Sequence, residues 1–162
     1  MTIGDAAGGP APAGGERRWR PGSPGVVELP DGRLVRGRGL RRVPLASGDE
    51  PDLGAYLLRR PPTMPWEHEW IAWPDLRLPR DVPLALRTLA RIHAAAATRR
   101  VEVACDGGIG RTGTALAILA RMAGVPASDA VAWVRERYDP RALETPAQRR
   151  LAREVDLTAI GG

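Results

Sequence analysis

One stretch of this 162-residue chain gathers the residue types that do nucleophilic chemistry. Cys105, the sole cysteine, is followed by Gly107, Gly108 and Gly110, and then by Arg111, Thr112 and Gly113. Upstream, Val101, Val103 and Cys105 alternate with Glu102 and Ala104, the pattern of a short strand. Downstream, Thr114 to Ala123 is a run of helix formers. Strand, glycine-rich turn and helix together make a phosphate-binding geometry. The glycines let successive backbone N–H groups converge on one point, and the helix N-terminus adds unpaired donors and the positive end of its dipole. A cysteine at the mouth of such a nest feels the same field, which favours its thiolate. Arg111 adds a planar fork for two phosphate oxygens. The stretch therefore reads as a nucleophile built into an anion hole, with Asp106, Gly107, Gly108, Ile109, Gly110 and Arg111 as the phosphate-binding loop. A glycine-rich turn around a merely buried cysteine is the structural alternative. A nucleotide-type phosphate loop does not fit, since no lysine follows the glycines.

Cys105 to Gly113, CDGGIGRTG, resembles the Cys-x5-Arg signature of the protein tyrosine phosphatases and dual-specificity phosphatases, usually His-Cys-x-x-Gly-x-Gly-Arg-Ser/Thr-Gly. Every fixed position matches except Ala104, which stands where the family has histidine. The resemblance implies an α/β fold with a small central sheet flanked by helices. It also implies a cytoplasmic phosphatase without metal or other cofactor, working through a cysteinyl-phosphate on a phosphorylated protein or small phosphomonoester. Cys105 would be the nucleophile and Arg111 the clamp. Thr112 falls where the family's hydroxyl bonds the sulfur and eases its departure, although it could equally cap the helix. Trp73-Pro74-Asp75 resembles the movable WPD loop, which makes Asp75 the candidate general acid; a plain turn is the alternative. Asp81 is the reserve acid, better read as the N-cap of the next helix. Glu144-Thr145-Pro146-Ala147-Gln148 resembles the family's Gln-Thr-x-x-Gln loop, with Gln148 as the residue that positions water. The same residues also spell a capping box with Pro146 at N1. The likeness covers about Trp70 to Leu151.

Two departures bear on chemistry. Ala104 removes a histidine whose hydrogen bonds orient the loop and help hold the thiolate. Asp106, beside the nucleophile, should repel highly charged ligands, and the variable positions Asp106, Gly107 and Ile109 include no lysine. A multiply phosphorylated lipid is therefore disfavoured.

Length and composition set the frame around this site. The chain is long enough for one domain with a real core. No apolar run approaches the ~18–20 residues that span a bilayer, and Asp5 with no apolar h-region argues against a signal peptide. A single cysteine rules out an internal disulfide and suits a reducing cytoplasm. All basic side chains are arginine, so the net charge of +5 reflects compositional bias as much as function. Such a surface can steer anionic substrates and argues only weakly for nucleic acid. Two rivals remain: a non-catalytic phosphoprotein-binding module, and an RNA 5′-phosphatase using the arginine-rich surface. Oligomeric state is not legible.

The elements that must carry the site follow in chain order. Residues 1–23, rich in Gly, Pro and Ala, read as a disordered tail with a basic patch at Arg17, Arg18 and Arg20; residues 24–158 read as the domain. VVEL and RLVRG flank Pro30-Asp31-Gly32 as a hairpin. Arg36 to Arg42 reads as a solvated strand edge or a ligand-lining surface, and Asp52 to Leu58 is too short to assign. Trp70, Ile71 and Trp73 end a strand. Leu84 to Ala97 is an amphipathic helix. His93 and His68 read as structural, with no Cys/His cluster for a metal. Thr114 to Ala123 is a buried helix closed by Gly124, Pro126 opens another that runs to about Tyr138, and Thr145 starts the last.

Overall fold

The computed structural model describes residues 17–42 and 44–160. Five strands form one sheet: β1 (Val26–Glu28), β2 (Leu34–Gly39), β3 (Leu53–Leu58), β4 (Glu67–Ala72) and β5 (Val101–Cys105), in the order β1-β2-β5-β3-β4. β1 and β2 pair antiparallel, Val26 opposite Arg36, as the Pro30-Asp31-Gly32 turn requires. The other pairings are parallel, and β5 lies between β2 and β3 with Val101 opposite both Val35 and Leu53. Four helices follow the expected segments: α1 (Val82–Ala95), α2 (Gly110–Met122), α3 (Ala130–Arg137) and α4 (Pro146–Glu154). The segment read as one helix from Pro126 opens instead with a separate 3-10 turn, Ala127–Asp129, a common way to enter a helix. Asp81 is the N-cap of α1, accepting from Leu84 N at 3.0 Å.

The sheet has two different faces. Val35, Ala55, Leu57, Ile71, Val101, Val103 and Cys105 share one register and one apolar core with Leu86, Leu89 and Ile92 of α1 and with α2. α2 is buried all round from Gly110 to Ala120 because α1, α3, α4 and the sheet surround it. Each large aliphatic side chain removed from water here contributes about 1.5–3 kcal/mol. The core thus fixes β5 and α2, the two elements on either side of Cys105–Gly110.

The opposite face carries a buried ionic cluster. Glu102, fully buried, accepts from Arg36 Nη2 (2.9 Å), Arg38 Nη2 (3.0 Å) and Tyr56 Oη (2.9 Å). Tyr56 Oη in turn accepts from Trp66 Nε1 at 2.6 Å. Of the two readings of Arg36 to Arg42, the solvated edge does not hold for Arg36 and Arg38, while Arg41 and Arg42 are exposed: β2 is interior, so Arg36 and Arg38 find a partner inside the protein, and β5 supplies one carboxylate to both. Burial opposes the charge on Arg38, yet the Glu102 pairing outweighs it and the guanidinium is held above its ordinary value. Burial, then the Glu102 charge, pushes the Tyr56 phenol well above the ordinary tyrosine value.

Part of the segment read as tail makes contacts with the sheet. Arg17 N donates to Thr98 O, and Trp19 is buried with its Nε1 donating to Val101 O at 2.7 Å. Arg17 and Trp19 therefore pack against the start of β5 and the loop before it; residues 1–16 lie outside the described residues. No helix of the described residues is long and apolar enough to cross a membrane.

Candidate active site

Cys105 ends β5, and its Sγ accepts two hydrogen bonds: from Gly108 N at 3.2 Å and from Thr112 Oγ1 at 3.0 Å. Of the two readings of Thr112, the geometry supports the contact with sulfur; Ile109 is the N-cap of α2 and makes no side-chain cap. Gly108 has φ +73°, a left-handed conformation that glycine adopts freely. The same residue lies so close to Gly39 that a Cβ would collide with the Gly39 backbone. Strand β2 is thus the floor under the loop: Leu40 N donates to Cys105 O (2.9 Å) and Arg41 N to Asp106 O (3.0 Å).

Arg111, in the first turn of α2, turns its guanidinium back beneath the loop and is 3% exposed. Its Nη1 donates to Leu57 O (3.0 Å) at the end of β3 and to Trp73 O (3.1 Å), so the fork is pinned on one side by backbone. The other side is different. Nη2 lies 3.5 Å from both Asp75 Oδ1 and Asp106 Oδ2, and the buried Nε has no hydrogen-bond partner. An Nε/Nη2 edge facing only loosely held carboxylates suits a planar bidentate oxyanion.

Asp75 sits on a loop rooted by Trp73. That indole is fully buried, donates from Nε1 to Arg77 O at 2.7 Å, and Arg80 N closes the loop onto Ala72 O at 2.9 Å. The Asp75 side chain itself is 71% exposed and also accepts from Leu76 N at 2.9 Å. Leu76 has φ +59°, a left-handed backbone that costs a leucine on the order of 1–2 kcal/mol.

The loop before α4 approaches from the third side. A Cβ on Gly110 would lie 2.5 Å from Glu144 Oε1 and 3.1 Å from Gln148 Oε1, so both side chains reach the loop after Cys105. Gln148 is fully buried and forms the capping box with Thr145, and its Nε2 donates to Arg77 O at 3.4 Å. Gln148 thereby ties α4 to the Asp75 loop. Asp81, the reserve acid, is occupied in capping α1.

Two contributors, Tyr138 and a pair of backbone carbonyls, gave no sequence signal. Tyr138 Oη donates to Gly108 O at 2.6 Å, and its ring packs on Gly37, where a Cβ would meet it at 2.6 Å. Burial, then the charge of Cys105, pushes the Tyr138 phenol well above its ordinary value, so it remains a donor. Arg41, within the segment read as a possible ligand-lining surface, has its Nε 3.5 Å from Asp106 Oδ1. The carbonyls of Leu57 and Trp73 hold Arg111, and only tertiary structure brings them there. The histidines lie elsewhere: His93 Nε2 is 2.7 Å from Asp31 Oδ2, and His68 Nδ1 is 2.9 Å from Trp66 O. Among the described residues no group of three His, Cys, Asp or Glu side chains is placed to hold a metal ion.

A family model described as protein-tyrosine phosphatase matches residues 56–136, half of the chain. Comparison with curated proteins gives no match. Among solved structures, the chain is similar to "Tk-PTP in the active form", with 25% identity, a TM-score of 0.60 and coverage of 82% of this chain and 96% of that one. It is also similar to the G95A mutant form of Tk-PTP, at 24% identity and a TM-score of 0.60, covering 79% and 92% of the two chains; at that identity the likeness concerns the fold.

Proposed function

This chain belongs to the protein-tyrosine phosphatase family, and from that premise we propose that it hydrolyses phosphotyrosine-type phosphomonoesters through a cysteinyl-phosphate intermediate. One observation carries the reading: a lone cysteine sulfur accepting from Gly108 N and Thr112 Oγ1, beside a buried arginine whose Nε is unpartnered. A dianionic phosphate takes the Nε/Nη2 edge of Arg111 and displaces the carboxylates of Asp75 and Asp106. The Cys105 thiolate attacks phosphorus in line, the P–S bond forms and the P–O bond of the ester breaks. Asp75, freed from Arg111, takes up a proton from solvent as the carboxylic acid and gives that proton to the departing oxygen. Water then attacks the cysteinyl-phosphate, Asp75 takes the water's proton, and the P–S bond breaks to return thiolate and phosphate. Thr112 Oγ1 stabilises the sulfur as it leaves, and Gln148 orients the water by giving up its bond to Arg77 O. Negative charge on the transferring group is met throughout by Arg111, the loop N–H groups and the α2 dipole.

Turnover of p-nitrophenyl phosphate and of a phosphotyrosine peptide tests this directly. Cys105→Ser should abolish both while keeping phosphate-analogue binding. Vanadate should compete with substrate, and EDTA should leave the rate unchanged because the nucleophile is a thiolate. Saturable phosphopeptide binding without turnover by the unaltered chain would favour a binding module, and activity confined to 5′-phosphorylated RNA would favour the RNA phosphatase. Chelation that stops the reaction, with recovery on adding Mg2+ or Zn2+, would place the chemistry elsewhere.

A further inference from the structure

A cavity of about 450 Å3 opens on the sheet face that carries the ionic cluster. Trp19, Pro24, Arg36, Arg38, Leu45 and Arg100 are among its walls, and none of Cys105, Arg111 or Asp75 lines it. Its volume falls in the range of small-molecule sites, ~300–1,000 Å3. Its chemistry is selective. Arg36 and Arg38, both more than nine-tenths buried, share the carboxylate of Glu102. The Arg36 and Arg100 guanidiniums lie 4.0 and 5.0 Å from the Trp19 ring centroid, and Arg100 Nε is buried without a hydrogen-bond partner. Asp49 is the one acidic residue lining the space, against four arginines that include Arg20. Pro24, Val26, Pro44 and Leu45 supply apolar wall. A ligand here meets excess cation at one place and indole, proline and leucine elsewhere.

We propose that this cavity is a second binding site, separate from the phosphatase centre, for a small organic anion with a flat apolar body. The anionic head answers the excess of arginines over carboxylates among the described residues that line the cavity. The body replaces water against Trp19 and the apolar wall. Arg36 itself is fully engaged, by Glu102 and by Asp49 O at 2.8 Å, whereas among the described residues the Arg100 side chain is hydrogen-bonded only by Nη1 to Gly48 O at 3.0 Å and has an unpartnered Nε to offer the ligand.

Titrating the full chain with 1-naphthalenesulfonate, vanadate being present to fill the phosphatase centre, tests the site. The indole N–H resonances of the five tryptophans are followed by NMR, with Trp19 assigned through Trp19→Phe. The Trp19 signal should shift saturably while that of Trp73, which reports on the Asp75 loop, stays still. Neutral 1-naphthalenemethanol should bind at least about tenfold more weakly, because it lacks the charge that a guanidinium recognises. Leu45→Trp, which fills the cavity, and Arg100→Gln, which removes the adaptable cation, should each abolish the shift and leave hydrolysis of p-nitrophenyl phosphate within about twofold of the parent. Equal affinity for the neutral probe, a shift at Trp73 instead of Trp19, or unchanged binding in both variants would overturn the proposal.

Discussion

Arg111 Nη2 and Asp106 Oδ2 stand 3.5 Å apart within one loop, so the arginine that should receive the substrate's phosphate already has a carboxylate from its own loop beside it. A doubly charged phosphate has to enter against that carboxylate. Asp106→Asn should therefore lower KM for dianionic substrates by roughly threefold to tenfold with little change in kcat, and the gain should shrink as salt is added. Steady-state kinetics at two ionic strengths checks this. An unchanged KM would mean that Arg41, 3.5 Å from the other carboxylate oxygen, already neutralises Asp106.

Arg111→Lys keeps the charge and loses the fork. Nη1 spans Leu57 O and Trp73 O while Nε and Nη2 face the site, and one ammonium cannot do both. Activity should fall by about two orders of magnitude or more, the scale of losing a preorganised oxyanion donor. Near-parental turnover would remove Arg111 from the mechanism.

For Asp75 the leaving group is the diagnostic. Tyrosine's phenolate, with an ordinary pKa near ~10, needs a proton as it departs, whereas an activated nitrophenolate needs little help. Asp75→Asn should cost phosphotyrosine substrates roughly 10²–10⁴ in kcat, the usual range for general acid catalysis, and activated aryl phosphates far less. An equal loss on both would leave Asp75 as a turn former, and Asp81 would be tested next.

The two tyrosines make the protein's response to base measurable. Tyr56 and Tyr138 are the only tyrosines of the chain, and both phenols are held well above their ordinary value, first by burial. A raised folded-state pKa gives stability that is complete below the unfolded value of ~10 and is lost as pH climbs toward the folded one. Stability should therefore fall above about pH 10, and phenolate absorbance at 295 nm should stay silent until the chain unfolds. Smooth titration of either tyrosine in the folded protein near pH 10 would contradict the buried hydrogen bonds to Glu102 and Gly108 O.

Glu102 is where stability is most exposed to a single substitution. Glu102→Ala leaves Arg36 and Arg38 buried without their shared carboxylate and should cost about 3–5 kcal/mol, read as a shift in the urea midpoint. Arg36→Met combined with Arg38→Met and Glu102→Leu should recover much of that loss, since an apolar replacement needs no desolvation. Failure of the triple variant to exceed Glu102→Ala would show that the cluster does more than compensate its own charges.

The reach of the sequence followed the reach of local patterning. Cys105, Thr112 and Arg111 were legible because strand, turn and helix start are contiguous, and β2 was legible from its hairpin. Asp75 was legible because Trp73 and Pro74 accompany it. Glu102 was not: alternation placed it opposite Val101 and Val103, but its partner Arg36 is 66 residues away and becomes a neighbour only once β5 lies beside β2. Tyr138 likewise ends a helix with no marker of its role, because its contact with Gly108 depends on where α3 packs. Trp19 was lost in a Gly/Pro/Ala-rich context that outweighed a single aromatic. Gln148 carried two meanings, and its capping box is formed.

The strand order has a consequence for how this protein comes into being. β2 and β3 are successive in the chain but are not paired; β5 lies between them. As the chain leaves the ribosome, everything through Arg100 waits with two unpaired inner edges, and the sheet closes only when Val101–Cys105 slots in. The strand that completes the sheet is the one that ends in Cys105, the proposed nucleophile, so the candidate pocket is assembled only when the sheet closes. Such late, long-range closure is slow and leaves strand edges open to wrong partners. A fragment ending at residue 100 should accordingly show no cooperative unfolding transition, and a sharp one would mean that β1 to β4 can form a sheet of their own.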